Sequence, residues 1–136
     1  MMKATELMVG NIVKHPEGYT MTVFGIKGGY VTGVINVNDT LYDSQQKIKN
    51  LSPIPITEEL LVKNGFEKEP NIYRDYRIRI KDYKIEVHFG CCAVGRVCYV
   101  TIEEPYGDQI AGNDINHLHQ LQNLLNIMDI KLDFVV

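Results

Sequence analysis

Residues 75–88 read DYRIRIKDYKIEVH, and apolar residues alternate with polar ones on both sides of a short central turn. This alternation predicts two antiparallel strands that share one apolar face. A tight turn places Ile78 opposite Ile85 on that face, and it places Arg77 opposite Glu86 on the other. A slip of one residue would turn the apolar side chains toward the polar face, so the sequence itself specifies the register.

The segments around this hairpin predict an α+β unit over residues 57–136. Thr57 is the expected N-cap of a short helix that ends at Asn64-Gly65. Further elements are expected as a third strand at 97–102, a helix at 115–128 and a last strand at 130–136. The predicted order is therefore helix, three antiparallel strands, helix and strand, with the helices on one face of the sheet.

Residues 1–56 read as short strands separated by turn residues. The glycine pair Gly28-Gly29 and the step Asn38-Asp39 interrupt runs rich in Val, Ile, Thr and aromatic residues, which is typical of β structure. Strands are expected at residues 11–14, 19–26, 30–37 and 47–51. Because four or five short strands occupy so few residues, we predict a small SH3-like barrel over residues 1–56. Pro53 and Pro55 hold the joint to the second unit in extended backbone.

Composition narrows the function classes. The 136 residues are 45% hydrophobic and carry a net charge of −3, so a folded domain is expected, without the strong basic field of a nucleic-acid-binding protein. Three cysteines, two of them adjacent, do not fit a secreted disulfide framework. No apolar signal core and no run of membrane-spanning length is present, so we expect a cytoplasmic protein without membrane association.

The helical segment 115–128, INHLHQLQNLLNIM, has no charged residue in a chain where charged residues make up 23%. Leucines lie on one face at helical spacing, and a polar but uncharged set shares the opposite face. That set is His119, Gln122, Asn123 and Asn126. Amide side chains without charges are expected on a surface that packs against another polar surface. We therefore predict a contact surface that docks against the first unit, a second copy of the chain or a foreign protein.

The polar face of the predicted sheet suggests an alternative. Basic and aromatic side chains on an open sheet are typical of single-stranded nucleic-acid binders. The residues concerned are Tyr73, Arg77, Arg79, Lys84 and Tyr99, with His88 beside them. Asp75 and Glu86 alternate with them, however, and ordinary cross-strand charge pairing is the favoured interpretation.

No motif indicates catalysis, a cofactor or a metal. The chain contains neither a G-x-S-x-G elbow nor a phosphate-binding glycine loop. Cys91 and Cys92 lie close to His88 in sequence, but nothing indicates a positioned base or a depressed thiol pKa. Neither C-x-x-C nor H-x-x-x-H spacing occurs. We therefore expect no enzymatic activity, no cofactor and no metal site.

Three short signatures resemble those of a known family. They are Thr5-Glu6-Leu7 with Gly10-Asn11, then PIPITEE at 53–59 with NGFEK at 64–68, and finally HQLQNL at 119–124. Their order and spacing resemble a family of small proteins with no assigned activity that is common in gut Bacteroides, their prophages and their mobile elements. This chain departs from the family after HQLQNL, where LNIMDI follows. The resemblance implies an accessory protein that binds host or phage components.

Together these observations predict a non-enzymatic binding protein that acts through protein–protein contacts, with a foreign protein or a second copy as its partner. Two alternatives stay open. One is a nucleic-acid-binding module that uses the sheet face or the barrel, and the other is a phage protein that sequesters a small signalling molecule.

Overall fold

The computed structural model describes residues 2–71, 73–89, 97, 99–107, 109–113 and 115–136. It is an α+β structure of antiparallel sheets with two α-helices. The chain divides into two compact units. The first comprises Met1–Pro55 with His117–Asn123, and the second comprises Ile56–Asn116 with Leu124–Val136.

The first unit is built on a four-stranded antiparallel meander. Its strands, paired in chain order, are β1 (Ile12–Lys14), β2 (Thr20–Lys27), β3 (Tyr30–Val37) and β4 (Thr40–Lys47). Two-residue turns at Gly28-Gly29 and Asn38-Asp39 join the last three strands, and all four turn residues have positive φ. That geometry matches the twist of the flanking strands, which explains why the turn sequence fixes these hairpins. A cluster of buried apolar side chains fills the inner side: Met2, Leu7, Val13, Met21, Val23, Val31 and Leu51.

The predicted SH3-like barrel is not confirmed, because the sheet is open and β1 and β4 are its two outer strands. The strand expected at residues 47–51 is also absent. Lys47 ends β4, and Ile48–Asn50 form a 3₁₀ turn instead. Beyond that turn, Ser52 makes an isolated antiparallel bridge with Lys14 on the outer side of β1.

The second unit contains a short helix and a five-stranded antiparallel sheet. The helix α1 (Glu58–Lys63) begins as predicted, since the Thr57 side chain accepts a hydrogen bond from the Leu60 N–H (3.1 Å). The strands, again paired in chain order, are β5 (Glu67–Lys68), β6 (Asp75–Ile80), β7 (Tyr83–His88), β8 (Tyr99–Glu103) and β9 (Gln109–Asn113). The predicted register of the central hairpin is confirmed, with Ile78 opposite Ile85 and Arg77 opposite Glu86.

The second unit differs from the prediction at both ends of the sheet and at its last segment. Strands β5 and β9 were not expected. Residues 130–136 join no sheet, although Ile130 and Phe134 are buried in alternation with exposed neighbours. The Asn64 side chain bonds this segment instead, because its amide donates to the Val135 carbonyl (2.8 Å) and accepts from the Val135 N–H (2.7 Å). The Asn64 side chain thus pairs with both backbone groups of Val135, which a neighbouring strand would otherwise have bonded.

The second helix, α2 (Leu118–Ile127), begins where its backbone meets the segment before α1. His117 forms an antiparallel bridge with Pro55, and the Leu118 N–H donates to the Ile54 carbonyl (2.8 Å). Leu118, Leu121 and Leu125 are buried, as the helical spacing predicted. Within the described residues, neither α1 nor α2 is long and apolar enough to cross a membrane.

A close approach of β2 and β3 at Gly33 gives a test of the first unit. A methyl group added at Gly33 would meet the Thr22 carbonyl oxygen of β2, which is backbone and cannot move aside. We expect Gly33→Ala to lower the free energy of unfolding by about 1–3 kcal/mol. Urea denaturation measures this, with Thr40→Ala, an exposed position in the same sheet, as the control. Equal stability of the two variants would contradict the described packing of β2 on β3.

Candidate interaction surfaces

Two neighbouring residues of α2, Gln122 and Asn123, are hydrogen-bonded within the first unit. The Asn123 side chain accepts from Nδ2 of Asn11 (2.8 Å) and donates to the Glu6 carbonyl (2.7 Å). Asn11 is fully buried, and its own Oδ1 accepts from the Met8 N–H (2.8 Å). Both ends of each amide are therefore used, which is what burial of such a group requires.

Gln122 repeats this pattern one residue earlier. Its Oε1 accepts from the Ile12 N–H (2.9 Å), and its Nε2 donates to the Gly10 carbonyl (3.1 Å). We call Asn11, Gln122 and Asn123 the amide clasp. It joins residues 110 or more positions apart in the chain. Two of the four predicted contact residues are thus engaged by the chain's own first unit.

The other two predicted contact residues lie in different environments. Asn126, one turn further along α2, is exposed. His119 is buried to 1% exposure, its ring lies 6.0 Å from that of His117 between centroids, and neither of its nitrogens has a hydrogen-bond partner among the described residues. Burial, followed by the neighbouring His117, lowers the pKa of His119, and Glu6 opposes this shift. His119 therefore behaves as a core residue that is kept neutral.

The predicted nucleic-acid face is neutralised by its own carboxylates. Glu69 lies 3.8 Å from Arg77 and 3.7 Å from Lys84, and Lys84 also lies 3.1 Å from Glu86. Burial, followed by a hydrogen bond to Glu86 and its charge, raises the pKa of Glu69. Two carboxyl groups thus share two cations. This arrangement leaves little positive potential for a phosphate backbone.

The remaining residues of that face are dispersed. Tyr99 stacks on His88, with ring centroids 4.2 Å apart and planes 19° apart, so one face of its ring is already covered. Tyr73 and Arg79 are exposed. Arg79 lines a shallow groove of about 460 Å³ with Gly65, Glu67, Arg77 and Ile78. No continuous strip of free cations and free aromatic rings is formed by the described residues.

His88 is the centre of a hydrogen-bonded row across three strands. Its Nδ1 lies 3.1 Å from Oδ1 of Asp75, and its Nε2 lies 3.1 Å from Oγ1 of Thr101. The Asn71 amide donates to the other Asp75 oxygen (3.2 Å). An acid, an imidazole and a hydroxyl in this order resemble a nucleophile with its base and orienting group. Because the Tyr99 ring covers one face of the imidazole, we interpret the row as cross-strand pairing that fixes the register.

No metal or cofactor site is evident in the described part of the chain, where no three potential metal-ligating side chains come together. The cysteines Cys91 and Cys92, considered above for a thiol role, lie outside the described residues. A groove of about 610 Å³ in the first unit is lined by residues of β2, β3 and β4 and the Gly28 turn, Tyr30 and Gln45 among them.

Sequence reasoning missed the strand β4, which forms one edge of the first sheet. Its burial is low along its whole length, and Leu41 and Tyr42 are 67% and 53% exposed. In the sequence TLYDSQQK, the apolar residues Leu41 and Tyr42 are adjacent and no apolar residue follows them. No apolar–polar alternation is therefore present, which explains why no strand was predicted there. Sequence reasoning also missed Asn11, which bonds Asn123 in the amide clasp.

No family model, curated protein or solved structure matches this chain.

The amide clasp predicts a position-specific effect on α2. Asn123→Lys removes the acceptor of the buried Asn11 amide and the donor to the Glu6 carbonyl. We expect a loss of about 1–3 kcal/mol of unfolding free energy. Asn126→Lys makes the same chemical change one turn away on exposed surface, and it should change stability by less than about 0.5 kcal/mol. Denaturant titration of both variants decides this, and similar losses in the two would argue against the clasp.

The buried neutral His119 predicts acid sensitivity. The unfolded chain binds a proton at the ordinary histidine pKa of about 6.5, whereas the folded chain does so only at lower pH. Folding stability is therefore highest above that pH and decreases as the pH falls below it, by up to about 1.4 kcal/mol per pH unit for this group. His119→Leu should flatten this part of the profile. Urea midpoints across a pH series measure it, and parallel profiles would refute the assignment.

Proposed function

We propose that this chain is a non-enzymatic binding protein that acts through protein–protein contacts made by the first unit. The observation that carries the proposal is the β4 strand, which is long, exposed and paired on one side only. An exposed strand edge offers a row of backbone donors and acceptors to an extended segment of another protein. The exposed Leu41 and Tyr42 side chains add apolar area next to that row.

This proposal moves the contact surface away from α2. The amides of Gln122 and Asn123 are used within the first unit, so they are not free for a partner. The backbone N–H and C=O groups on the outer edge of β4, by contrast, are not paired with another strand. We infer an accessory role in a phage or mobile element from the sequence resemblance alone.

The order of elements in the first unit is compatible with an SH3-like connectivity, although its sheet does not close into a barrel. A meander of four strands, a 3₁₀ turn at Ile48–Asn50 and the bridge from Ser52 back to Lys14 follow one another in that order. The buried His15 beside β1 lies 3.0 Å from Nε2 of Gln46 and 3.4 Å from Oγ of Ser44, so β4 curls toward the start of the sheet. Such a fold does not decide the function by itself.

Nucleic-acid binding is the weaker candidate. It depends on free cations at Arg77 and Lys84, and both cations lie beside Glu69. Sequestration of a small molecule has the groove beside Tyr30 as its only support among the described residues. Lys27 is the one charged side chain in the lining of that groove, and it is exposed.

Site-specific photo-crosslinking tests the proposed surface. A benzophenone amino acid replaces Leu41 on β4, or Tyr106 in the second unit, which is 93% exposed and serves as the control. Irradiation of cells that produce the protein should yield protein adducts at position 41 at several times the level at position 106. Adding Gln45→Pro, which removes an outward N–H of β4, should abolish those adducts. Equal adduct formation at the two positions would overturn the proposal.

A further inference from the structure

The free edge of β4 has a defined pattern of unpaired backbone groups. The Ile48 N–H donates to the Gly29 carbonyl at one end of the β3–β4 hairpin. In an antiparallel ladder, alternate residues bond to the same neighbour, so the even-numbered residues of β4 bond to β3. The outward backbone groups then belong to Leu41, Asp43, Gln45 and Lys47. No described residue forms a hydrogen bond with them.

This edge lacks the usual features that prevent strand addition. Those features are short length, proline, a bulge, a covering segment or several lysines. The strand β4 has eight residues, pairs with β3 without a bulge and contains no proline and a single lysine, Lys47, at its end. Among the other outer strands, β5 has two residues and β9 has five, while β1 is bridged by Ser52. Within the described sheets, β4 is the edge best suited to accept a further strand.

The charges of β4 point to a particular partner. Asp43 and Lys47 lie on the same face, four residues apart, which is about 13 Å along a strand and too far for an ion pair. Neither forms an ion pair with any described residue. An edge with one unpaired anion and one unpaired cation is complementary to a second copy of itself that runs antiparallel, because each anion then lies opposite a cation.

We propose that β4 pairs antiparallel with β4 of a second copy of this chain, with the two-fold axis at Gln45. The inference rests on the proposed function and names its partner. In this register Asp43 of each copy faces Lys47 of the other, and the two Gln45 side chains face each other. The outward backbone groups of Asp43, Gln45 and Lys47 in one copy then meet those of Lys47, Gln45 and Asp43 in the other, while Leu41 lies opposite the 3₁₀ turn and stays outside this ladder. A register centred on Asp43 would place two carboxylates in contact.

Because each edge pairs with itself, reversing one of the two charges should weaken the dimer, whereas reversing both together should leave it intact. Asp43→Lys puts two cations opposite each other twice, and Lys47→Asp does the same with anions. Each single variant should weaken self-association about tenfold or more, because like charges at an interface cost several kcal/mol. The double variant Asp43→Lys/Lys47→Asp restores both pairs and should recover the wild-type dimer.

Sedimentation velocity over a concentration series measures this association on the full chain. Glu17→Lys, an exposed position outside β4, changes the net charge as Asp43→Lys does and should leave the dimer intact. Gln45→Pro removes one outward N–H while keeping the ladder to β3, and it should give a folded monomer by circular dichroism. A dimer that loses self-association in the single variants and regains it in the double variant supports the proposal.

Two outcomes overturn it. A wild-type protein that stays monomeric at every concentration excludes a second copy as the partner. If photo-crosslinking at position 41 then yields adducts with a foreign protein only, the binding function stands while the self-pairing fails. A dimer that Asp43→Lys and Gln45→Pro both leave unchanged uses another surface, and this too contradicts pairing through β4.

Discussion

The amide clasp satisfies the buried Asn11 side chain and three backbone polar groups at the start of the first sheet. Gly10 and Ile12 flank Asn11, whose carbonyl accepts from the Val23 N–H of β2. The neighbouring Ile12 N–H consequently points away from β2, where only Gln122 bonds it. Without α2, the outer side of β1 would have an unpaired donor at Ile12 and an unpaired amide at the buried Asn11. Such groups cost free energy comparable to a lost hydrogen bond each, so the first unit requires this part of α2.

The same constraint explains why Gln122 and Asn123 carry uncharged amides. Each contact on the clasp needs one donor and one acceptor from a single side chain. Gln122 accepts from Ile12 and donates to Gly10, and Asn123 accepts from Asn11 and donates to Glu6. Lysine and arginine only donate, and ionised aspartate and glutamate only accept, so no charged side chain meets both needs, whereas an amide does. At positions 122 and 123, the absence of charge therefore fits hydrogen-bond pairing within the first unit.

The sequence predicted those parts of the fold that local pattern determines. The register of the β6–β7 hairpin follows from strict alternation, and the start of α1 follows from Thr57. It identified the polar face of α2 but not its partner, because Asn11 lies 112 residues away and no local signal connects the two. His119 shares the helical face of Gln122 in sequence yet is buried, since helical periodicity does not tell which neighbour covers a face. The strand β4 was invisible because its composition is polar on both faces, and residues 130–136 alternate like a strand although Asn64 replaces the sheet partner.

The surface that we propose for binding is β4, a strand that the local sequence pattern did not predict. The carboxylates on the outer face of β6 and β7 engage its cations, whereas β4 presents unpaired backbone beside exposed apolar side chains. We infer that the clasp holds the first part of α2, residues 118–123, in the first unit. Hydrogen–deuterium exchange at the Ile12 amide, followed by NMR, tests this most directly. The account predicts slow exchange, comparable to that of the Val23 amide in the ladder. Exchange at Ile12 as fast as at a solvent-exposed strand edge would contradict it.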